Sequence, residues 1–155
     1  MFLTVHAVSG LVIGKYVPSV WLAFILAFIL HIILDIIPHD SIELENWKEK
    51  EMKKNLIIFF LIELPLIATI LLILFNINSI ELTPSIIAGI IGSVILDFLW
   101  GFYMLFPKLK FLKIFKIINH ESHKILYKKI FISWKLWVPI QVCFLIMFLI
   151  IFVFY

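Results

Sequence analysis

Residues 18–40 read Pro18-Ser-Val-Trp-Leu-Ala-Phe-Ile-Leu-Ala-Phe-Ile-Leu-His31-Ile-Ile-Leu-Asp35-Ile-Ile-Pro38-His39-Asp40, an apolar run that ends in two histidines and two aspartates. The stretch from Pro18 to Ile37 is roughly 20 residues long, which at ~1.5 Å per helical residue matches a hydrocarbon core of ~30 Å. An ionisable side chain at that depth costs several kcal/mol or more unless it is paired, hydrated or metal-bound, so His31 and Asp35 are functional candidates by default. An α-helix repeats every 3.6 residues, which puts His31 and Asp35 on one face and His39 one turn further on.

Three more segments, 55–75, 84–106 and 136–155, have the same length and apolar character. The chain as a whole is 64% hydrophobic and only 15% charged over 155 residues, a composition that excludes an ordinary soluble domain. No linker or low-complexity tract divides it, so residues 1–155 form one integral membrane domain. The expected fold is all-α and polytopic, with four transmembrane helices, a short N-terminal membrane-inserted helix and a basic amphipathic interfacial helix. The N-terminal apolar stretch 2–13 is too short for a confident span and has no basic residues before it, so it reads as a half-inserted or tilted helix and not as a cleaved signal peptide.

All 13 basic residues are lysines, and their distribution sets a topology. Lys48, Lys50, Lys53 and Lys54 fall between the first and second spans. Lys108, Lys110, Lys113, Lys116, Lys124, Lys128, Lys129 and Lys135 fall between the third and fourth, and segment 76–83 has none. The positive-inside rule places both lysine-rich connections in the cytoplasm and the C-terminus outside, as expected for a protein of a plasma (inner) membrane. Pro18 and Pro84 open helices where a missing N–H costs nothing, and Pro38 and Pro107 close them. In the third connection Leu109, Phe111, Leu112, Ile114, Phe115, Ile117 and Ile118 interleave with lysines. If helical, this segment carries Lys113, Lys116, His120, His123 and Lys124 near one face and suits an anionic partner in the headgroup region. A weak internal repeat is also visible, Ile33-Leu34-Asp35 recurring as Ile95-Leu96-Asp97, each near the inner end of a helix that runs inwards.

The polar residues share a depth. His6, His31, Asp35, Glu63 and Asp97 all fall in the cytoplasmic halves of their segments, and His39, Asp40, His120 and His123 lie in the adjoining connections. The single Cys143 excludes a cysteine cage, so a metal would use nitrogen and oxygen. The candidate ligands are His6, His31, Asp35, His39, Asp97, His120 and His123. Such a set fits zinc, or manganese or iron where carboxylates dominate. Glu63 or Asp40 would serve as general base, and Lys113 and Lys116 would attract an anionic headgroup. Each residue also has a structural alternative: a His–Asp pair that holds helices together, a protonated Asp97 bonded to Ser93, a Glu63 that satisfies the kink at Pro65, or a His6 that caps its helix.

At these positions the chain resembles the YdjM-like membrane-bound metal-dependent hydrolases, with Thr4 and His6 as a loose counterpart of an early Thr-His, His31 with Asp35 as the H-x-x-x-D pair, and His120 with His123 as the later histidine pair. The likeness covers the first 40 residues and the His120 region. It implies a small polytopic hydrolase that depends on a metal. Taken together, the expectation is a membrane-embedded metal-dependent hydrolase acting on a lipid phosphoester or ester at the cytoplasmic leaflet. The alternatives are a divalent-cation carrier or channel, for which the absence of acidic residues in the outer helix halves is unfavourable, and a purely structural membrane subunit. No glycine-rich nucleotide loop and no serine or cysteine triad is present, and nothing points to nucleic acid.

Overall fold

A computed structural model of the chain describes residues 1–37, 49–78, 81–127 and 134–155. Among the described residues all regular structure is helical: α1 (Leu3–Tyr16), α2 (Val20–Ile36), α3 (Glu49–Asn78), α4 (Pro84–Leu105), a 3-10 turn (Lys110–Leu112) running into α5 (Lys113–Tyr127), and α6 (Trp134–Phe154). Segments Lys53–Ile77, Pro84–Leu105 and Lys135–Phe154 are long and apolar enough to cross a membrane, whereas the apolar α2, at 17 residues, is shorter. Local chemistry explains the starts. The Ser19 and Thr83 hydroxyls accept from the N–H groups of Leu22 and Ile86, each satisfying one donor that the first turn leaves free, and Pro84 occupies the position that lacks an intrahelical N–H bond. Helix α2 therefore begins two residues after Pro18. Helix α3 begins earlier than its apolar run, because the charged residues Glu49–Lys54 are good helix formers that extend it into the polar phase.

The element the sequence reads least well is the one at the centre. Helix α1 is only ~21 Å long, too short for a lipid-facing span, yet nearly every residue from Leu3 to Gly14 is buried. It is a core helix enclosed by α2, α3, α4 and α6. Val5, Val8 and Leu11 meet Leu34 of α2, Leu74 of α3, Ile86 of α4 and Phe148 and Phe152 of α6 in one apolar cluster. No side chain of its own caps its start. Its free N–H groups are instead bonded from other helices: Phe2 N–H donates to Gln141 Oε1 on α6, and Thr4 N–H donates to Glu63 Oε2 on α3 at 2.9 Å. At the far end Lys15 Nζ donates to the Phe152 carbonyl at 2.6 Å, a cation on one of the last carbonyls of α6. Contacts at both ends fix α1 parallel to α6.

Close approach of α1, α2 and α4 depends on small residues. A Cβ on Gly10 would collide with the Gly89 carbonyl and the Ser93 hydroxyl, and a Cβ on Gly92 would collide with the Phe24 carbonyl of α2. Without a hydrophobic force between helices in lipid, such backbone-to-backbone packing is a main source of helix association. The signal is present in the sequence as Gly10-x-x-x-Gly14 and as the row Ser85, Gly89, Ser93. This tight three-helix contact is what brings the polar residues of three different helices to one point.

Candidate metal centre

Asp35 is the hub. Its Oδ1 lies 3.1 Å from His6 Nε2 on α1, and its Oδ2 lies 3.1 Å from His31 Nε2 one turn earlier on α2. His31 Nε2 is also 3.9 Å from Asp97 Oδ1 on α4, so both carboxylates stand around one imidazole nitrogen. The two imidazoles are packed ring against ring with centroids 4.0 Å apart. The Met1 amino nitrogen is a further neighbour, 3.0 Å from Asp35 Oδ1. His6, His31 and Asp35 are fully buried, and the Asp97 side chain keeps 16% of its exposure, which makes it the open side of the cluster.

The tautomer of His31 follows from its other nitrogen. Nδ1 sits 2.6 Å from the Ser93 carbonyl oxygen, which can only accept, so Nδ1 carries the proton. In the neutral ring the lone pair is then on Nε2, facing Asp35 and Asp97. A histidine whose second N–H is held by a backbone carbonyl is the usual preparation of a metal-ligating imidazole, because the bond fixes ring orientation and tautomer together. His6 Nδ1 has no hydrogen-bonding partner among the described residues although it is buried, whereas His31 Nε2 has Asp35 Oδ2 3.1 Å away. A buried polar atom without a partner costs about 1–3 kcal/mol, a cost that a bound cation or water relieves.

The residues present fit a cation. One ligand atom each from His6, His31 and Asp97 lie within 4.8 Å of one another. Two ligands of a tetrahedral ion at ~2.0–2.2 Å stand roughly 3.3–3.6 Å apart, and the nitrogen–oxygen separations of 3.1, 3.1 and 3.9 Å bracket that spacing. The donors of this group are imidazole nitrogen and carboxylate oxygen, with Asp35 standing 3.1 Å from each imidazole.

The other sequence candidates have different fates. Glu63 is buried, but its Oε2 accepts from both the Thr4 N–H at 2.9 Å and the Thr4 hydroxyl at 2.6 Å. Glu63, expected as a general base, thus caps the start of α1, since a carboxyl group at a helix N-terminus satisfies free donors there. Replacing Glu63 with leucine leaves two buried donors unpaired and is expected to lower stability by about 1–3 kcal/mol. Glu63→Gln, which keeps an oxygen acceptor, should lose less, and metal content should follow folded protein in both; thermal unfolding and metal analysis of the purified variants check this. Lys113 and Lys116 are exposed on α5, and Lys116 Nζ lies 5.9 Å from the Tyr103 ring centre. His39 and Asp40 lie outside the described residues, as do the side chains of His120 and His123, whose backbone belongs to α5.

Sequence reasoning missed Asn119. Its Nδ2 donates to Asp97 Oδ1 at 3.2 Å, from a buried position on the inner face of α5. The available signal was two small polar residues, Asn119 and Ser122, one helical turn apart within an element of mostly apolar and basic residues. The Ile95-Leu96-Asp97 repeat also acquires a physical sense: His31 and Asp35 on α2 face Ser93 and Asp97 at the same spacing on α4, and the two helices meet through the Nδ1 bond of His31. No protein-family model, curated protein or solved structure matches this chain.

Proposed function

We propose that this chain is an integral membrane metal-dependent hydrolase whose centre is formed by His6, His31, Asp35 and Asp97, and that it acts on a phosphoester or ester at the headgroup level of the cytoplasmic leaflet. The observation that carries this reading is the convergence of these four side chains from three helices, with His31 Nδ1–H tied to the Ser93 carbonyl and Nε2 turned towards both carboxylates. The resemblance to the YdjM-like hydrolases points the same way. A divalent ion held by His6, His31, Asp35 and Asp97, zinc first by the ligand types, would supply a water of lowered pKa and would polarise an ester or phosphoryl oxygen.

The chain's own residues supply the rest. His31 and Asp35 are the most rigidly held ligands, because each is buried and Nδ1 of the imidazole is tied to the Ser93 carbonyl. Asp97, the least buried, faces the approach of substrate. Lys113 and Lys116, exposed on the neighbouring α5, raise the local concentration of anionic headgroups. The lysine-rich connections leave the bundle at the same end as the cluster, which by the positive-inside rule is the cytoplasmic end, with α2 counted as a fourth span beside α3, α4 and α6. His39, Asp40, His120 and His123, which follow the apolar segments in sequence, are further ligand or base candidates.

A carrier or channel needs polar stepping stones to the opposite side. Among the described residues α2, α4 and α6 carry no acidic side chain between the cluster level and the other end, and α1 presents Lys15 there. This favours an enzyme over a cation conduit. Detergent-purified protein in mixed micelles with a panel of anionic lipids is expected to release a water-soluble headgroup or phosphate in a chelator-sensitive reaction. Asp35→Asn should lower turnover by at least about 100-fold while the protein stays folded, since a carboxamide is a poor substitute for a charged oxygen ligand. Stoichiometric metal without hydrolysis, together with metal flux in proteoliposomes, would instead establish the carrier.

A further inference from the structure

The amphipathic α5 is physically connected to the cluster. It crosses the ends of α2 and α4, the two helices that hold His31, Asp35 and Asp97. Its inner row, Leu112 on the preceding turn with Asn119 and Ser122, is buried. Its outer side combines charge with bare apolar surface: Lys113 and Lys116 are exposed, and Phe111, Ile114 and Ile117 expose 69%, 57% and 50% of their surface. Lysines next to unburied isoleucine and phenylalanine suit an interface where the apolar chains sink below the headgroups and the ammonium groups stay among anionic ones. Between these two sides stands the bond from Asn119 Nδ2 to Asp97 Oδ1, the same oxygen that faces His31 Nε2. Asp97 is the one cluster carboxylate that is not fully enclosed, so its orientation depends most on this bond.

We propose that α5 couples the anionic surface of the membrane to the metal centre, with Asn119 as the positioning residue that transmits the docked state of α5 to Asp97. The inference rests on the metal reading above and adds its regulation by lipid. When the lysines and the apolar edge of α5 engage anionic phospholipid, the helix is held against α2 and α4 and Asn119 holds Asp97 in the ligating orientation. On a neutral surface α5 is held less firmly, the Asn119 bond is made less of the time, and Asp97 is a weaker ligand. By linkage, a surface that favours the docked state must raise metal affinity by the same factor by which metal favours docking.

The test is a competition titration of zinc against a soluble chelator, on full-length protein in nanodiscs of phosphatidylcholine alone or with one-third phosphatidylglycerol. The surface potential concentrates cations near every variant alike, so the quantity compared is the ratio of apparent zinc affinities in the two lipids. For the unmodified protein this ratio should exceed that of Asn119→Leu by about 5-fold or more, the lower end of ordinary allosteric coupling. The double variant Lys113→Gln/Lys116→Gln keeps the Asn119 bond but removes the charges that read the surface, and its ratio should fall to that of Asn119→Leu. Should Asn119→Leu not fold, the lysine variant decides alone. Inorganic phosphate added to phosphatidylcholine nanodiscs separates a membrane surface from a free anion, and is expected to leave the affinity unchanged. Equal ratios in all proteins, or a full effect from free phosphate, would overturn the coupling while leaving the metal centre standing. Absence of zinc binding in every lipid would overturn the metal reading itself.

Discussion

Replacing His31 with alanine is expected to reduce bound metal from stoichiometric to below about one-tenth in protein purified under conditions that load the unmodified chain. The variant loses the nitrogen that faces both Asp35 Oδ2 at 3.1 Å and Asp97 Oδ1 at 3.9 Å, and with it the tie between α2 and the Ser93 carbonyl of α4. Loss of an outer partner of a ligand already costs 10- to 100-fold in affinity, so loss of a ligand should cost about 100-fold or more. Chelation should lower the melting temperature of the unmodified protein, because an ion bound only by the folded state stabilises it, and should have no such effect on His31→Ala. Element analysis and thermal unfolding with and without chelator read both outcomes. Lys54→Ala, an exposed change on α3, is the control. Metal content in His31→Ala equal to this control would make the cluster a hydrogen-bonded packing device.

The second large effect is expected at Gly89. A side chain there meets the Gly10 carbonyl oxygen of α1, and the reverse substitution at Gly10 meets the Gly89 carbonyl. The obstacle is backbone, so no rotamer change relieves it and the helices must separate. Gly89→Leu should destabilise the protein by more than about 3 kcal/mol, beyond the usual 1–3 kcal/mol of an overpacked core. It should also reduce metal binding although Gly89 touches no ligand, because moving α1 away from α4 withdraws His6 from His31 and Asp97. Leu61→Ala, on the exposed face of α3, should leave both quantities close to those of the unmodified chain. Normal metal content in a well-folded Gly89→Leu protein would show that α1 is not needed to assemble the centre.

Much of this architecture is written in local chemistry. Four apolar runs, the Ser19 and Thr83 caps and Pro84 define helices α2, α3, α4 and α6 to within a few residues at most ends, because burying apolar surface and satisfying the first-turn donors are both properties of short stretches of chain. The shared face of His31 and Asp35 follows from helical geometry alone, and the depth of Asp97 follows from counting residues. The interleaved lysines and isoleucines after Pro107 identify α5 as an amphipathic element. The position of α1 was not legible in this way. Hydropathy measures fitness for lipid, and α1 touches mainly protein, so its Gly, Ser, Thr and His content lowers the lipid signal while serving close packing. The cap that Glu63 places on α1 was not legible for a related reason: its partner, the Thr4 N–H, lies 59 residues away in sequence.

The sequence by itself determined an all-helical chain with apolar helices fit to cross a membrane and with lysines concentrated in two stretches between them, because those properties depend on composition and on the rise and turn of a helix. Only the tertiary structure decided which of the histidines and aspartates meet. Three helices must approach until Gly10 touches Gly89 and Gly92 touches Phe24 before His6, His31, Asp35 and Asp97 can surround one point, and side-chain reach across helices is set by that approach and not by spacing along the chain. The bond from Asn119 to Asp97 and the cap from Glu63 to Thr4 are of the same kind, joining residues far apart in sequence whose partners no local pattern names.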